Sequence, residues 1–269
     1  MRLHLLSPAS SMLIKRKSIE KEESSRPARK PKYAPVTLSE QDGVRYLHFG
    51  TEWVQGAMRI RKPNWPELEY AQQMMAWMLW LDKPAQIAQL GLGTATLTKF
   101  CYVTFPEATV TAVELNPSVI AICASMFKLP DNDERLRVVE MDALDYVNDE
   151  ANAGLLDVLQ VDLYDATARG PVLDSAEFYQ SCNACLTDDG IMTVNLFGDH
   201  PSYARNIKAM NFAFEQVICL PPVHDGNVVA IAFKRKRAID LEALAARAAQ
   251  ITADTKLPAK TWVKGLAVK

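Results

Sequence analysis

Between Pro84 and Phe233, short apolar β-forming runs alternate with helix-length segments, and this alternation most constrains what the chain can fold into. Gln86–Leu90 is strand-like, and Gly91-Leu92-Gly93 then opens a helix through about Phe105. Thr109–Glu114 is a second strand. Asn116-Pro117 starts the next helix, with Pro at the first turn, where its missing N–H costs nothing. Leu136–Val139 is a third strand and Leu156–Val161 a fourth, the latter an apolar run suited to burial on both faces. Ser175–Cys185 reads as a helix, and Asp189-Gly190 turns into a fifth strand, Ile191–Asn195. After a helix near Tyr203–Phe212 come two β-runs, Phe214–Leu220 and Asn227–Phe233. Asp225-Gly226 lies between them, so they should pair antiparallel.

Five βα units closed by a β-hairpin predict a doubly wound α/β architecture. Its Rossmann-like sheet is of the S-adenosylmethionine-dependent methyltransferase type, and the antiparallel ending separates it from the all-parallel nicotinamide type. Residues 1–32 carry mixed charge and close with the Pro-punctuated run Ser24-Ser25-Arg26-Pro27-Ala28-Arg29-Lys30-Pro31, which predicts a disordered arm. Residues 33–82 are expected to form a small N-terminal β-hairpin unit, turning at Asp42-Gly43, followed by a linking helix from Glu67 to Leu81. The Met and Trp side chains of that helix read as packing. Residues 83–237 would be the catalytic domain, and 238–269 one surface helix, through about residue 252, and then a loose tail.

The net charge of −2 conceals an asymmetry. Residues 1–33 and 234–269 each carry nine Lys/Arg against three Asp/Glu, so residues 34–233 hold 12 basic against 26 acidic side chains. An acidic body repels nucleic acid and attracts small cations, so no nucleic-acid partner is expected. Lys234-Arg235-Lys236-Arg237 reads as a solvated face. The longest unbroken apolar run, Met74 to Leu81, is far short of the roughly 20 residues that span a membrane, so no membrane partner is expected either. Five cysteines, one of them unpairable, read as apolar filler in a reducing compartment. Cys182 and Cys185 form a CxxC without a second pair, so no metal site is expected. The first apolar stretch precedes Lys15-Arg16-Lys17, the reverse of a secretory signal's order, and the expected location is cytoplasmic.

Chemistry-bearing residues collect at the carboxyl ends of the predicted strands. Gly91 and Gly93 sit at a strand-to-helix turn, where a ligand can approach the backbone beside a helix N-terminus. Glu114 ends the second strand, 23 residues after Gly91, where a carboxylate can accept both ribose hydroxyls. Asp142-Ala143 closes the third, offering a side-chain acceptor and a backbone N–H to an adenine. Asp162 and Asp165 follow the fourth, over the same crevice. Paired carboxylates can bind a cationic amine, and one can take its proton, because an amine attacks only when deprotonated. His200 and His224 lie in predicted loops at strand ends, and His224 could line the amine side.

The run Gln55, Gly91-Leu92-Gly93, Val113-Glu114, Met141-Asp142, Val161-Asp162-x-x-Asp165, Gly170-Pro171 and Glu177-Phe178-Tyr179 resembles the spermidine synthase (polyamine aminopropyltransferase) family. The likeness extends from about Tyr33 to Phe233, in the divergent bacterial form. It implies transfer of an aminopropyl group from decarboxylated S-adenosylmethionine to an amine such as putrescine, with release of methylthioadenosine. By resemblance, Gln55, the loop residues Gly91, Gly93 and Thr94, and Glu114, Asp142 and Ala143 would hold the nucleoside co-substrate. Asp162 would be the base, and Asp165, Tyr70 and His224 would meet the amine; the family also implies a homodimer. Thr94 stands where the family's loop has Asp, the Tyr-His-Glu-type triplet has become Tyr70-Ala71-Gln72, and Val223-His224-Asp225-Gly226 replaces a Tyr-Pro-Ser/Thr-Gly element. A methyltransferase using intact S-adenosylmethionine and a non-catalytic nucleoside-binding protein are the alternative readings.

Overall fold

In a computed structural model, residues 33–165, 170–223 and 226–266 are described. The expected arm, 1–32, and His224 lie outside them. The main body is a seven-stranded sheet, with β4 Gln86–Leu90, β5 Thr109–Glu114, β6 Leu136–Glu140, β7 Leu156–Val161, β8 Leu186–Phe197, β9 Gln216–Cys219 and β10 Asn227–Phe233. Their order is β6-β5-β4-β7-β8-β10-β9. The first five are parallel, while β10 runs antiparallel to both β8 and β9. This is the doubly wound α/β sheet with the antiparallel ending that the strand pattern predicts. The order reverses between β4 and β7, so their carboxyl ends flank the crevice where ligands bind in such sheets.

The amino-terminal unit has three strands rather than a bare hairpin: β1 Thr37–Gln41, β2 Val44–His48 and β3 Val54–Arg59. Asp42 and Gly43 both have positive φ, 52° and 75°, the two-residue turn that Asp-Gly favours because Gly meets no steric penalty there. Arg45 on β2 donates to the Met126 carbonyl, tying this unit to the main sheet's helices. Fully buried Lys99 does the same from the other side, donating to the Phe127 carbonyl at 2.5 Å and touching Met58 Sδ on β3. Burial without a carboxylate lowers the Lys99 pKa to about 8.

The helix expected over Glu67–Leu81 is shorter and tighter. α1 spans Glu69–Gln73, and Met74–Leu79 is a 3-10 helix, all six of whose residues are buried. The Met74 carbonyl accepts from Gln160 Nε2 on β7 at 3.3 Å and Thr193 Oγ1 on β8 at 3.1 Å, so side chains of the sheet engage a carbonyl that a continuing α-helix would use. Around the sheet lie α2 Thr96–Thr104, α3 Pro117–Met126, α4 Ala143–Asn148, α5 Ala176–Cys185 and α6 Ser202–Ala213. Strand β8 begins before the expected Ile191. Leu156 faces Leu186 while Val158 faces Ile191, so residues 187–190 bulge out at the predicted turn.

The loose tail expected after residue 252 is instead folded. α7 spans Leu241–Thr255, capped by Asp240, and α8 spans Ala259–Leu266. Leu244, Ala248, Ile251, Trp262 and Val263 join the core around the buried Met74–Leu79 segment, and Arg247 donates to the Met78 carbonyl. The apolar spacing of this short stretch stabilises it only once that segment exists as a surface to cover. No helix of the described residues is long and apolar enough to cross a membrane. Trp262 is 1% exposed, so Trp262→Ala should lower unfolding free energy by about 3–5 kcal/mol in urea titrations. A loose tail would give almost no change.

Candidate active site

The carboxyl ends of β6, β5, β4 and β7 open into a cavity of about 970 Å3, roofed by β2, β3 and the loop between them. Its floor is the Gly91-Leu92-Gly93 turn. Gly91 has φ +88°, and a Cβ there would lie 2.2 Å from the Asp162 carbonyl oxygen. Only glycine allows the two strand ends to approach this closely. The approach is held by backbone hydrogen bonds from Gly91 N to the Val113 carbonyl and from Asp162 N to the Leu90 carbonyl, at 2.8 and 2.9 Å.

On the β5 side, Glu114 accepts from Leu92 N at 3.0 Å and Asn116 N at 2.8 Å. Burial raises its pKa while those amides pull the other way. Asp142 follows β6 and caps α4, accepting from Leu144 N at 2.8 Å. Ala143 is the first residue of that helix, so its N–H has no partner within the helix. Gln55 on β3 reaches across to the Asp165 carbonyl at 3.2 Å. Gly91, Gly93, Gln55, Glu114, Asp142, Ala143, Asp162, Asp165 and Tyr70 all line the one cavity.

Thr94 does not line it. Its side chain is buried against β3, donating to the Ala57 carbonyl and meeting Thr96 Oγ1 at 2.8 Å. A hydroxyl at this point of the turn satisfies a β3 carbonyl, and Gly56 leaves the space it fills.

Asp162 is a buried carboxylate at the centre of the site. Burial pushes its pKa up to about 6, against the opposing hydrogen bonds from Asn195 Nδ2 to Oδ1 at 2.9 Å and Tyr70 OH to Oδ2 at 3.4 Å. Such a group is ionised at neutral pH yet basic enough to take a proton. Burial beside it keeps Tyr70 and Tyr164 protonated well above the usual phenol range. Asn195 escaped the sequence reading. The signal was a lone amide among the apolar residues that end the fifth strand, Met192-Thr193-Val194-Asn195-Leu196. His200 also lines the cavity, its Nδ1 2.7 Å from Ser202 Oγ.

The spermine/spermidine synthase domain matches residues 90–238. The chain belongs to that family. A polyamine aminopropyltransferase of Chromobacterium violaceum is 33% identical over 218 residues, covering 80% of this chain and 83% of the relative. Two solved structures share the fold. A probable spermidine synthase from Corynebacterium glutamicum has TM-score 0.69 and 18% identity over 89% of this chain and 92% of its own. Human methyltransferase-like protein 13, solved in complex with SAH, has TM-score 0.63 and 21% identity over 70% of this chain and 93% of its own. The close approach at Gly91 predicts a sharp intolerance to any side chain there. Gly91→Ala should cost at least about 1–3 kcal/mol of stability from positive φ alone, read by chemical denaturation, and more from the clash with Asp162.

Proposed function

We propose that this chain is an aminopropyltransferase, moving the aminopropyl group of decarboxylated S-adenosylmethionine to a small polyamine acceptor such as putrescine and releasing methylthioadenosine. The observation that carries this reading is the charge of the cavity. Among the described residues its lining has the carboxylates Glu52, Glu114, Asp142, Asp162 and Asp165 and no Lys or Arg. Decarboxylated S-adenosylmethionine and a polyamine are both cations without a carboxylate, and such a lining favours them. Intact S-adenosylmethionine would bring a carboxylate into the same field with no cation to meet it, which weighs against methyl transfer. In this reading the fold shared with a methyltransferase-like protein does not extend to the donor.

In this reading Glu114 and Gln55 hold the ribose hydroxyls, and Asp142 with the Ala143 N–H holds the adenine edge. Tyr70 and Asp165 flank the acceptor. Asp162 takes a proton from the acceptor ammonium, and the freed nitrogen lone pair forms a bond to the sulfonium-bound carbon. The carbon–sulfur bond breaks with its electron pair going to sulfur, which leaves as a neutral thioether. A cytoplasmic homodimer belongs to the same reading. Five free cysteines suit a reducing compartment, and the homodimer is what the family resemblance implies.

Purified protein incubated with decarboxylated S-adenosylmethionine and a panel of diamines and polyamines should yield methylthioadenosine and an amine one aminopropyl unit heavier, both visible by mass spectrometry. Neither product in any acceptor mixture would rule the reaction out. Because Asp162 must be ionised to act, kcat/KM should fall as pH drops through about 6. Asp162→Asn should lower turnover by orders of magnitude with methylthioadenosine affinity nearly unchanged. Glu114→Ala should do the converse, weakening methylthioadenosine binding by about 1–3 kcal/mol in calorimetry.

A further inference from the structure

Among the described residues, Asp162 takes the shorter of two side-chain hydrogen bonds from Asn195 Nδ2, at 2.9 Å. An amide has two faces. Turned over, the same group would present its oxygen to the carboxylate and repel it. Which face Asp162 meets is decided one strand away. In the antiparallel β8–β10 pair Asn195 lies opposite Val229 and Asn227 opposite Phe197, so the two asparagines are diagonal neighbours, and both line the cavity. Asn227 Nδ2 donates to Asn195 Oδ1 at 2.9 Å and to the Tyr164 hydroxyl at 3.4 Å. Asn195 is 2% exposed and Asn227 9%, which leaves little room for water to replace a lost contact. If Asn195 flipped, an N–H would face an N–H at Asn227 and an oxygen would face a carboxylate at Asp162, so both contacts would fail together.

We propose that Asn227 is a positioning residue for the transfer reaction: by donating to Asn195 Oδ1 it locks that amide with its N–H on Asp162, and so keeps the carboxylate ionised and aimed at the acceptor nitrogen. The inference rests on the reading of Asp162 as the base. The titratable groups that face Asp162 are Tyr70 from α1 and Tyr164 from its own loop, both neutral phenols at working pH; Asp165 and His200 line the same cavity. Asn195 is the closer of the two side chains that hydrogen-bond the Asp162 carboxylate, which makes its orientation a control on the proton affinity there.

The test compares wild type with Asn227→Leu and Asn227→Asp, using decarboxylated S-adenosylmethionine and putrescine across pH, with Asp162→Asn alongside. Asn227→Leu frees the Asn195 amide, and the acid-side midpoint of kcat/KM should rise by about one unit, the size of a lost charge-assisted hydrogen bond. Asn227→Asp should raise it further, because a carboxylate at 227 draws the Asn195 N–H away from Asp162. In both variants kcat at neutral pH should fall while the KM for the nucleoside donor stays near wild type. A carbon-13 titration of the Asp162 carboxyl in the unliganded protein reads the same shift without turnover. If Asn227→Leu does not fold, the isosteric polar Asn227→Asp carries the comparison. Unchanged midpoints, with any loss of kcat matched by a loss of thermal stability, would reduce Asn227 to a packing role and overturn the inference. Should Asp162→Asn keep full turnover, the base assignment fails and the inference with it. An inactive Asp162→Asn beside unshifted Asn227 variants overturns the inference alone.

Discussion

The site depends on the contact between two strand ends. At the reversal of strand order, the backbone of Gly91 lies against the carbonyl of Asp162, closer than any side chain at position 91 would permit. That approach brings the glycine turn after β4 and the carboxylate after β7 into one cavity. It also turns the Leu92 N–H toward Glu114 on β5 and leaves Asp162 between Tyr70 and Asn195. A sheet that separated these ends by one more side-chain layer would keep its core and lose its site.

The two halves of the cavity rest on different kinds of support. On the side proposed for the nucleoside the polar groups belong to strand ends and helix starts: the Glu114 carboxylate braced by two backbone amides, and Asp142 capping α4. Their positions follow from the backbone. On the side proposed for the amine the supports are side chain to side chain, running from Tyr70 to Asp162, Asn195, Asn227 and Tyr164. Such networks are more exposed to substitution, because each member depends on the orientation of the next. Beside this network, the Tyr-His-Glu-type triplet of the family the chain resembles has become Tyr70-Ala71-Gln72.

Much of the fold was legible because its signals are local. The Asp42-Gly43 turn, the Asn116-Pro117 helix start and the apolar runs at Gln86–Leu90, Thr109–Glu114 and Leu156–Val161 each act within a few residues. Where the reading failed, a distant partner had intervened. Met74–Leu79 is apolar enough for an α-helix, yet Gln160 and Thr193 from two strands engage its first carbonyl and the turn tightens. Residues 253–266 look like a solvent-exposed tail until Trp262 finds the surface that the same segment presents.

The sequence by itself determined the order of strands and helices, the antiparallel closing hairpin and the ring of carboxylates at the strand ends, because hydrophobic period and turn chemistry are written residue by residue. Tertiary structure alone decided which face each polar side chain shows. Thr94 sits in a loop whose spacing points to a ligand, but its hydroxyl is taken by the Ala57 carbonyl across the cleft. Asn195 reads as an unremarkable strand residue, but its amide is held on Asp162 by a neighbour 32 positions away. A hydrogen bond has a direction as well as a donor and an acceptor, and that direction exists only once both strands are in place.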